Sequence, residues 1–127
     1  MAEQILSFSD LRAYQEALEL QQIVFHASKA WPSEEKFALV SQIRRSSRSI
    51  GANISEAWAK RRYPPHFVSK LTDADGELQE TLHWLTAAFL CEYVTAKQRA
   101  EWETRISLIG GKLGRMIQKP ESFLPRK

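Results

Sequence analysis

The chain has 127 residues, enough for one domain with its own core, and a hydrophobic content of 43% excludes a disordered tract. Five glycines and five prolines disfavour a loop-rich or β-rich chain, and the single cysteine, Cys91, excludes an intramolecular disulfide. The formal net charge is only +3, but it is unevenly spread: net −2 over residues 1–32, +4 over 33–63, −4 over 64–94 and +5 over 95–127.

Met1-Ala2-Glu3-Gln4-Ile5-Leu6 lacks the basic flank and apolar run of a signal peptide. No segment approaches ~18 consecutive apolar residues, so no membrane span is expected. These features predict one soluble, cytoplasmic domain over residues 1–127. Asn53-Ile54-Ser55 fits a glycosylation triplet, which carries no weight in such a chain.

Apolar residues recur at helical spacing almost throughout, with no internal repeat and no period-2 strand pattern. The first helix is predicted over residues 10–29, with Ser9 as its cap and Trp31-Pro32 as its stop. Leu11, Tyr14, Leu18 and Phe25 form one stripe on it. Ala17, Leu20, Val24, Ala27 and Trp31 form a second, so the helix should pack against two neighbours.

The second helix is predicted over residues 33–62, capped by Ser33, with Glu34 and Glu35 at its positive end and Tyr63-Pro64-Pro65 as its stop. Its core face is Leu39, Ile43, Ser46, Ile50, Ile54 and Ala57. The third helix, over residues 65–93, carries the stripe Phe67, Leu71, Ala74, Leu78, Leu82, Leu85 and Phe89. Gly76 in its middle costs about 1 kcal/mol against alanine, for which a close helix contact is the expected compensation.

The fourth helix, over residues 96–118, opens on a capping-box pattern at Thr95-Ala96-Lys97-Gln98. Trp102, Ile106, Ile109, Leu113 and Met116 form its stripe. Gly110, Gly111 and Gly114 weaken its later part, and Pro120 and Pro125 mark a tail over residues 119–127. Short links between long helices make successive helices antiparallel. The predicted fold is all-α: an up-down-up-down four-helix bundle.

Little in this chain resembles catalytic chemistry. His26, His66 and His83 lie on separate segments, none at i,i+4 from another histidine or a cysteine, so they read as ordinary histidines rather than zinc ligands. Glu80-Thr81-Leu82-His83 is a single Glu-x-x-His, where a di-iron bundle needs two. Cys91, in Phe89-Leu90-Cys91, reads as a buried, inert thiol. The expectation is a protein that is not an enzyme and uses no metal and no cofactor.

The second helix holds the most pointed signal. Arg44, Arg45 and Arg48 form one cluster, and Lys60, Arg61 and Arg62 another. At ~100° per residue, Arg44, Arg48, Ser55 and Arg62 share a face about 27 Å long, with Arg45 beside it. Such a stripe could follow a phosphate backbone, which makes Arg44, Arg45, Arg48 and Arg62 the candidate nucleic-acid contacts. It could equally be a solvated face, or pair with Asp73, Asp75, Glu77 and Glu80 of the third helix in the same or a neighbouring subunit.

Gln42-Ile43-Arg44-Arg45-Ser46-Ser47-Arg48-Ser49-Ile50-Gly51-Ala52-Asn53-Ile54-Ser55-Glu56 resembles the signature Q-I-R-R-A-x-x-S-I-x-x-N-I-A-E-G of the four-helix-bundle proteins encoded in intervening sequences of large-subunit ribosomal RNA genes. Leu11-x-x-Tyr14-Gln15-x-Ala17, Trp31-Pro32-x-Glu34-Glu35 and Ala74-x-Gly76-x-Leu78-x-Glu80 support it, so that residues 8–118 are covered. Gly51 stands where proline is usual, Ala57 where glycine is, and Glu77 where serine is, while Arg48 adds a charge. The family is related to the accessory variability determinant of diversity-generating retroelements, a basic homopentamer that binds nucleic acid and a reverse transcriptase. The resemblance therefore implies a homo-oligomer, a pentamer by analogy, with Arg44 and Arg45 toward RNA or DNA. Asn53 and Glu56 match polar positions of the signature and are expected to bridge helices or subunits.

Two functional readings follow. One is a non-enzymatic oligomer that binds nucleic acid through the basic face of the second helix. The other is a protein-interaction scaffold whose second-helix arginines pair with the acidic third helix between subunits.

Overall fold

The computed structural model describes residues 5–125. Four α-helices account for most of it: α1 (Arg12–Ser28), α2 (Leu39–Ala59), α3 (Pro64–Leu90) and α4 (Ala96–Gln118). Short 3-10 turns precede α1 (Phe8–Asp10), lie between α1 and α2 (Ser33–Glu35) and follow α4 (Pro120–Ser122). No strand occurs among the described residues, and none of their helices is long and apolar enough to cross a membrane.

Cross-helix contacts fix the directions. Arg45 reaches Glu77 and Glu80, Ser46 meets Thr81, and Glu56 meets Lys70, so α2 and α3 run antiparallel. Arg44 bonds Ser28 near the end of α1, while Gly51 faces Tyr14 near its start. Gly110 packs on Leu78 and Arg99 on Phe89, which orients α4 against α3. Arg105 pairs with Glu19 and Lys112 with Glu16, closing α4 onto α1. The result is the four-helix bundle the spacing predicts, with each helix antiparallel to its sequence neighbours.

The core follows the periodicity closely. Leu39, Ile43, Ser46, Ile50, Ile54 and Ala57 of α2 are all buried, as are Trp102, Ile106, Ile109, Leu113 and Met116 of α4. On α3, Phe67, Leu71, Ala74, Leu78 and Leu85 are buried, but Thr81 and Ala88 replace Leu82 and Phe89, which are half-buried. The buried positions 67, 71, 74, 78, 81, 85 and 88 keep a regular four-three step, the seven-residue repeat of a supercoiled bundle, whereas the stripe takes two successive four-residue steps at Leu78. On α1 the second stripe is the core: Ala17, Leu20, Val24 and Trp31 are buried, whereas Leu18 of the first is exposed.

Helix boundaries differ most at the first connection. Ser33 does not cap α2: residues 29–38 separate the two helices, and Ala38 is the residue before Leu39. Trp31 is buried and stacked on Tyr93, whose hydroxyl donates to the Glu35 carboxylate at 2.8 Å. The chain must cross this end of the bundle to seat Trp31 before α2 can begin. Ser9 likewise does not cap α1, because the Phe8–Asp10 turn intervenes and Leu11 occupies the N-cap position in extended backbone. The capping box at α4 is present: Gln98 N–H donates to Thr95 Oγ1 and Thr95 N–H to Gln98 Oε1.

α3 ends at Leu90 in a Schellman arrangement. Tyr93 N–H donates to Ala88 O, Glu92 N–H to Phe89 O, and Glu92 takes the left-handed conformation (φ 64°) that favours glycine. This end also corrects the reading of Cys91, which sits just past the last helical residue and is exposed. Gly76 is exposed with nothing near a built Cβ, so no close helix approach accounts for it. Gly51 and Gly110 are the glycines that sit against a neighbouring helix, where a Cβ would lie 3.4 Å from Tyr14 Cε1 and from Leu78 Cδ2 respectively. The tail docks up to residue 124: Phe123 lies 6.5 Å from the Phe67 ring and its carbonyl accepts from Arg61.

Candidate nucleic-acid interface

α2 begins at Leu39 and places Arg44, Arg45 and Arg48 within one turn and a residue of each other, with rises of ~1.5 Å per residue. It ends at Ala59, so the helical register does not reach Arg62, which lies exposed in the turn before α3. The stripe expected from Arg44 to Arg62 therefore breaks after Ser55, whose hydroxyl donates back to Ala52 O within the helix. Arg61 is not part of it either. Its guanidinium stacks 3.6 Å above the Trp58 ring and its Nε donates to Trp58 O.

The three arginines of the cluster have different surroundings. Arg45 meets α3, with Nη1 donating to Glu77 at 3.1 Å and Nη2 donating to Glu80. The hydrogen bond that Arg45 donates to Glu80 raises the Arg45 pKa further, and the same bond holds Glu80 below its ordinary value. Glu80 also accepts from Trp84 Nε1 at 3.2 Å. The pairing of second-helix arginine with third-helix acid thus exists for Arg45, inside a single chain.

Arg44 turns toward α1 instead. Its Nε donates to Ser28 Oγ at 2.8 Å, Nη2 reaches Phe25 O at 3.4 Å, and the guanidinium carbon lies 4.8 Å from the centre of the Phe25 ring. Lys29 Nζ (4.6 Å) and the Arg48 guanidinium (5.5 Å) approach the same ring. Phe25 is therefore the common support of three cations, each attracted to the electron-rich ring face. Arg48 is exposed and makes no ion pair among the described residues.

Beside this cluster runs an open groove lined by Lys36, Phe37, Val40, Ser41, Arg44, Arg45, Arg48 and Ser49. No carboxylate is among these residues. Phe37 is 87% exposed, and Lys36 Nζ lies 5.4 Å from its ring centre. Helical spacing marks Phe25 only as a member of an apolar stripe, and marks out none of Lys29, Lys36 and Phe37. The available signals were the i,i+4 pair Phe25–Lys29, on one face of α1, and the adjacency of Lys36 and Phe37. What the groove can do chemically is hold an anion by several cationic donors and offer a flat apolar ring beside it.

The remaining polar residues have plainer settings. Asn53 does not bridge helices: its side-chain amide donates to Ser49 O one turn back. Glu56 does, pairing with Lys70 of α3 at 2.9 Å, which lowers the Glu56 pKa and raises that of Lys70. His26, His66 and His83 are exposed and edge-packed on Phe25, Tyr63 and Trp84. Among the described residues no group of three or more His, Cys, Asp or Glu could hold a metal ion.

The fold and this face define a small all-helical bundle with a basic, aromatic-lined surface on α1 and α2. The model of the 23S rRNA-intervening sequence protein family matches residues 9–115, and the chain belongs to that family. A solved structure from Bacteroides thetaiotaomicron, described as a protein of unknown function from the S23 ribosomal protein family, is similar with a TM-score of 0.75. The two are 32% identical, over 84% of this chain and 95% of that one. No curated protein matches the chain.

Proposed function

We propose that this chain is a non-enzymatic nucleic-acid-binding protein of the cytoplasm, working as a homo-oligomer, with its contact surface on the α1–α2 face. The observation that carries this reading is the groove lined by Lys36, Arg44, Arg45 and Arg48, with no carboxylate in its lining and an exposed ring at its side. Arg48 and Lys36 are the leading phosphate contacts. Arg44 keeps part of its guanidinium fork for a ligand while its remaining donors hold α1, and Arg45 is shared with Glu77 and Glu80. Arg62 stands apart and would meet only a ligand that extends past the end of α2.

The oligomer, and five as its subunit number, rest on the family resemblance. Exposed Leu18, Leu90 and Leu108 supply apolar surface for contact between copies. Light scattering on the purified protein measures the assembly directly, and a monomer at working concentration would remove that part of the proposal.

The binding test is a fluorescence-anisotropy titration with labelled RNA and DNA at two salt concentrations, comparing wild type with Lys36→Ala/Arg48→Ala. Affinity that falls with salt, and a salt slope reduced by about 1 for each phosphate contact removed, is the expected result. Absence of binding at low salt, with the fold intact, would overturn the reading. It would leave the protein-interaction scaffold, in which arginines of α2 meet acids of α3 between subunits.

A further inference from the structure

We infer that the groove takes an unpaired nucleobase on the Phe37 ring, so that the preferred ligand is single-stranded; this rests on the nucleic-acid reading above. Phe37 is the most exposed of the large apolar side chains among the described residues, at 87%. It stands in the short turn between Glu35 and Leu39, whose backbone is held by Lys36 N–H donating to Ser33 O and Ala38 N–H to Glu35 O. The ring therefore projects from an anchored segment rather than from a loose loop.

The two phenylalanines of this face are not equivalent. Phe25 is crowded by Lys29, Arg44 and Arg48, so it organises cations and has little face left for a ligand. Of the cations among the described residues, Lys36 alone lies over the Phe37 ring, at 5.4 Å. Glu34 and Glu35, next to Phe37 in sequence, do not line the groove, and Glu35 accepts from the Tyr93 hydroxyl; Glu77 and Glu80 meet its edge only through Arg45. A free aromatic face bordered by cations is what a phosphate-linked chain of unstacked bases requires: ring against ring, phosphate against guanidinium and ammonium.

A duplex cannot use the ring in this way. Its bases already stack on one another, and opening a step for a side chain is costly. It would be held by phosphate contacts alone, through Lys36, Arg44 and Arg48. The inference therefore separates two substrates that the charges by themselves do not.

The test is anisotropy at one fixed salt concentration with a labelled single-stranded RNA and a duplex of equal length, using the full chain and its Phe37→Ala and Phe37→Trp variants. Because Phe37 is exposed, each variant should melt within a degree or two of wild type, which checks folding. Wild type is expected to prefer the single strand. Phe37→Ala should weaken single-strand binding about 5- to 150-fold, the range for loss of one base stack, and leave duplex binding unchanged. Phe37→Trp should retain single-strand affinity. Equal losses on both ligands, or no loss on the single strand, overturn the stacking role while leaving the phosphate-binding reading intact. No binding of wild type to either ligand overturns the parent reading itself.

Discussion

The two sides of α2 carry neighbouring arginines with opposite fates. On the α3 side, Arg45 is neutralised by Glu77 and Glu80, next to the buried hydrogen bond from Thr81 Oγ1 to Ser46 Oγ at 2.9 Å. On the α1 side, Arg44 and Arg48 gather with Lys29 around an aromatic ring, and no carboxylate lines the adjoining groove. Adjacent residues on a helix point ~100° apart, so one arginine run feeds two interfaces. A cation whose charge is matched inside the chain serves the bundle; one supported by a ring keeps its charge unmatched by a carboxylate.

The largest effect that could break this contrast is at Arg44, which bridges both roles. Arg44→Ala removes the bonds to Ser28 and Phe25 O and the ring contact, and should lower stability by about 1–2 kcal/mol. Arg48→Ala should change it by less than about 0.5 kcal/mol while weakening nucleic-acid binding. Urea unfolding of the two variants decides, and equal stability losses would erase the distinction. On the other side, a double-mutant cycle on Ser46→Ala and Thr81→Val should show a coupling of about 1 kcal/mol by the same method. A coupling near zero would mean that the two hydroxyls are satisfied separately by Ile43 O and Glu77 O.

Smaller effects sharpen the contrast. Glu77→Ala/Glu80→Ala releases Arg45 and should cost less than about 1 kcal/mol, since the pairs are partly open to solvent. If charge matching is what withholds Arg45 from ligand, the variant binds nucleic acid more tightly and its salt slope steepens by about 1. The smallest effect is in pH. Arg45 holds the folded-state pKa of Glu80 below its unfolded value. The stabilisation is therefore complete above the unfolded value of ~4.3 and is lost as pH falls through the lower folded one. Wild type and Glu80→Gln should differ at neutral pH and converge in acid; a constant difference down to pH 2 would discount the pair.

Much of the fold was legible because burial has a period. Ile43, Ile50 and Ile54 on α2 and Trp102 through Met116 on α4 lie where spacing places them. Boundaries were less legible because tertiary demands moved them: Trp31 and Tyr93 draw residues 29–38 across the end of the bundle, and Leu90 ends α3 early enough to expose Cys91. The candidate site was half legible. Arg44, Arg45 and Arg48 could be read as a cluster, and Glu77 and Glu80 as possible partners. Which arginine they take depends on the register between α2 and α3, which no local pattern carries. Phe37 lies in a turn between helices, where no periodicity marks a residue out.

The bond between Tyr93 and Glu35 bears on how fast the proposed ligand would leave. The Tyr93 hydroxyl, its pKa pushed up to about 12 by the bond to Glu35, stays protonated at any physiological pH and keeps donating to that carboxylate. The turn that carries Phe37 is thereby braced from behind by the turn between α3 and α4. Its conformational freedom is surrendered when the protein folds, not when a strand arrives, so binding need not meet that entropy again. Loosening the brace with Tyr93→Phe would be felt mainly as a shorter residence time on the groove.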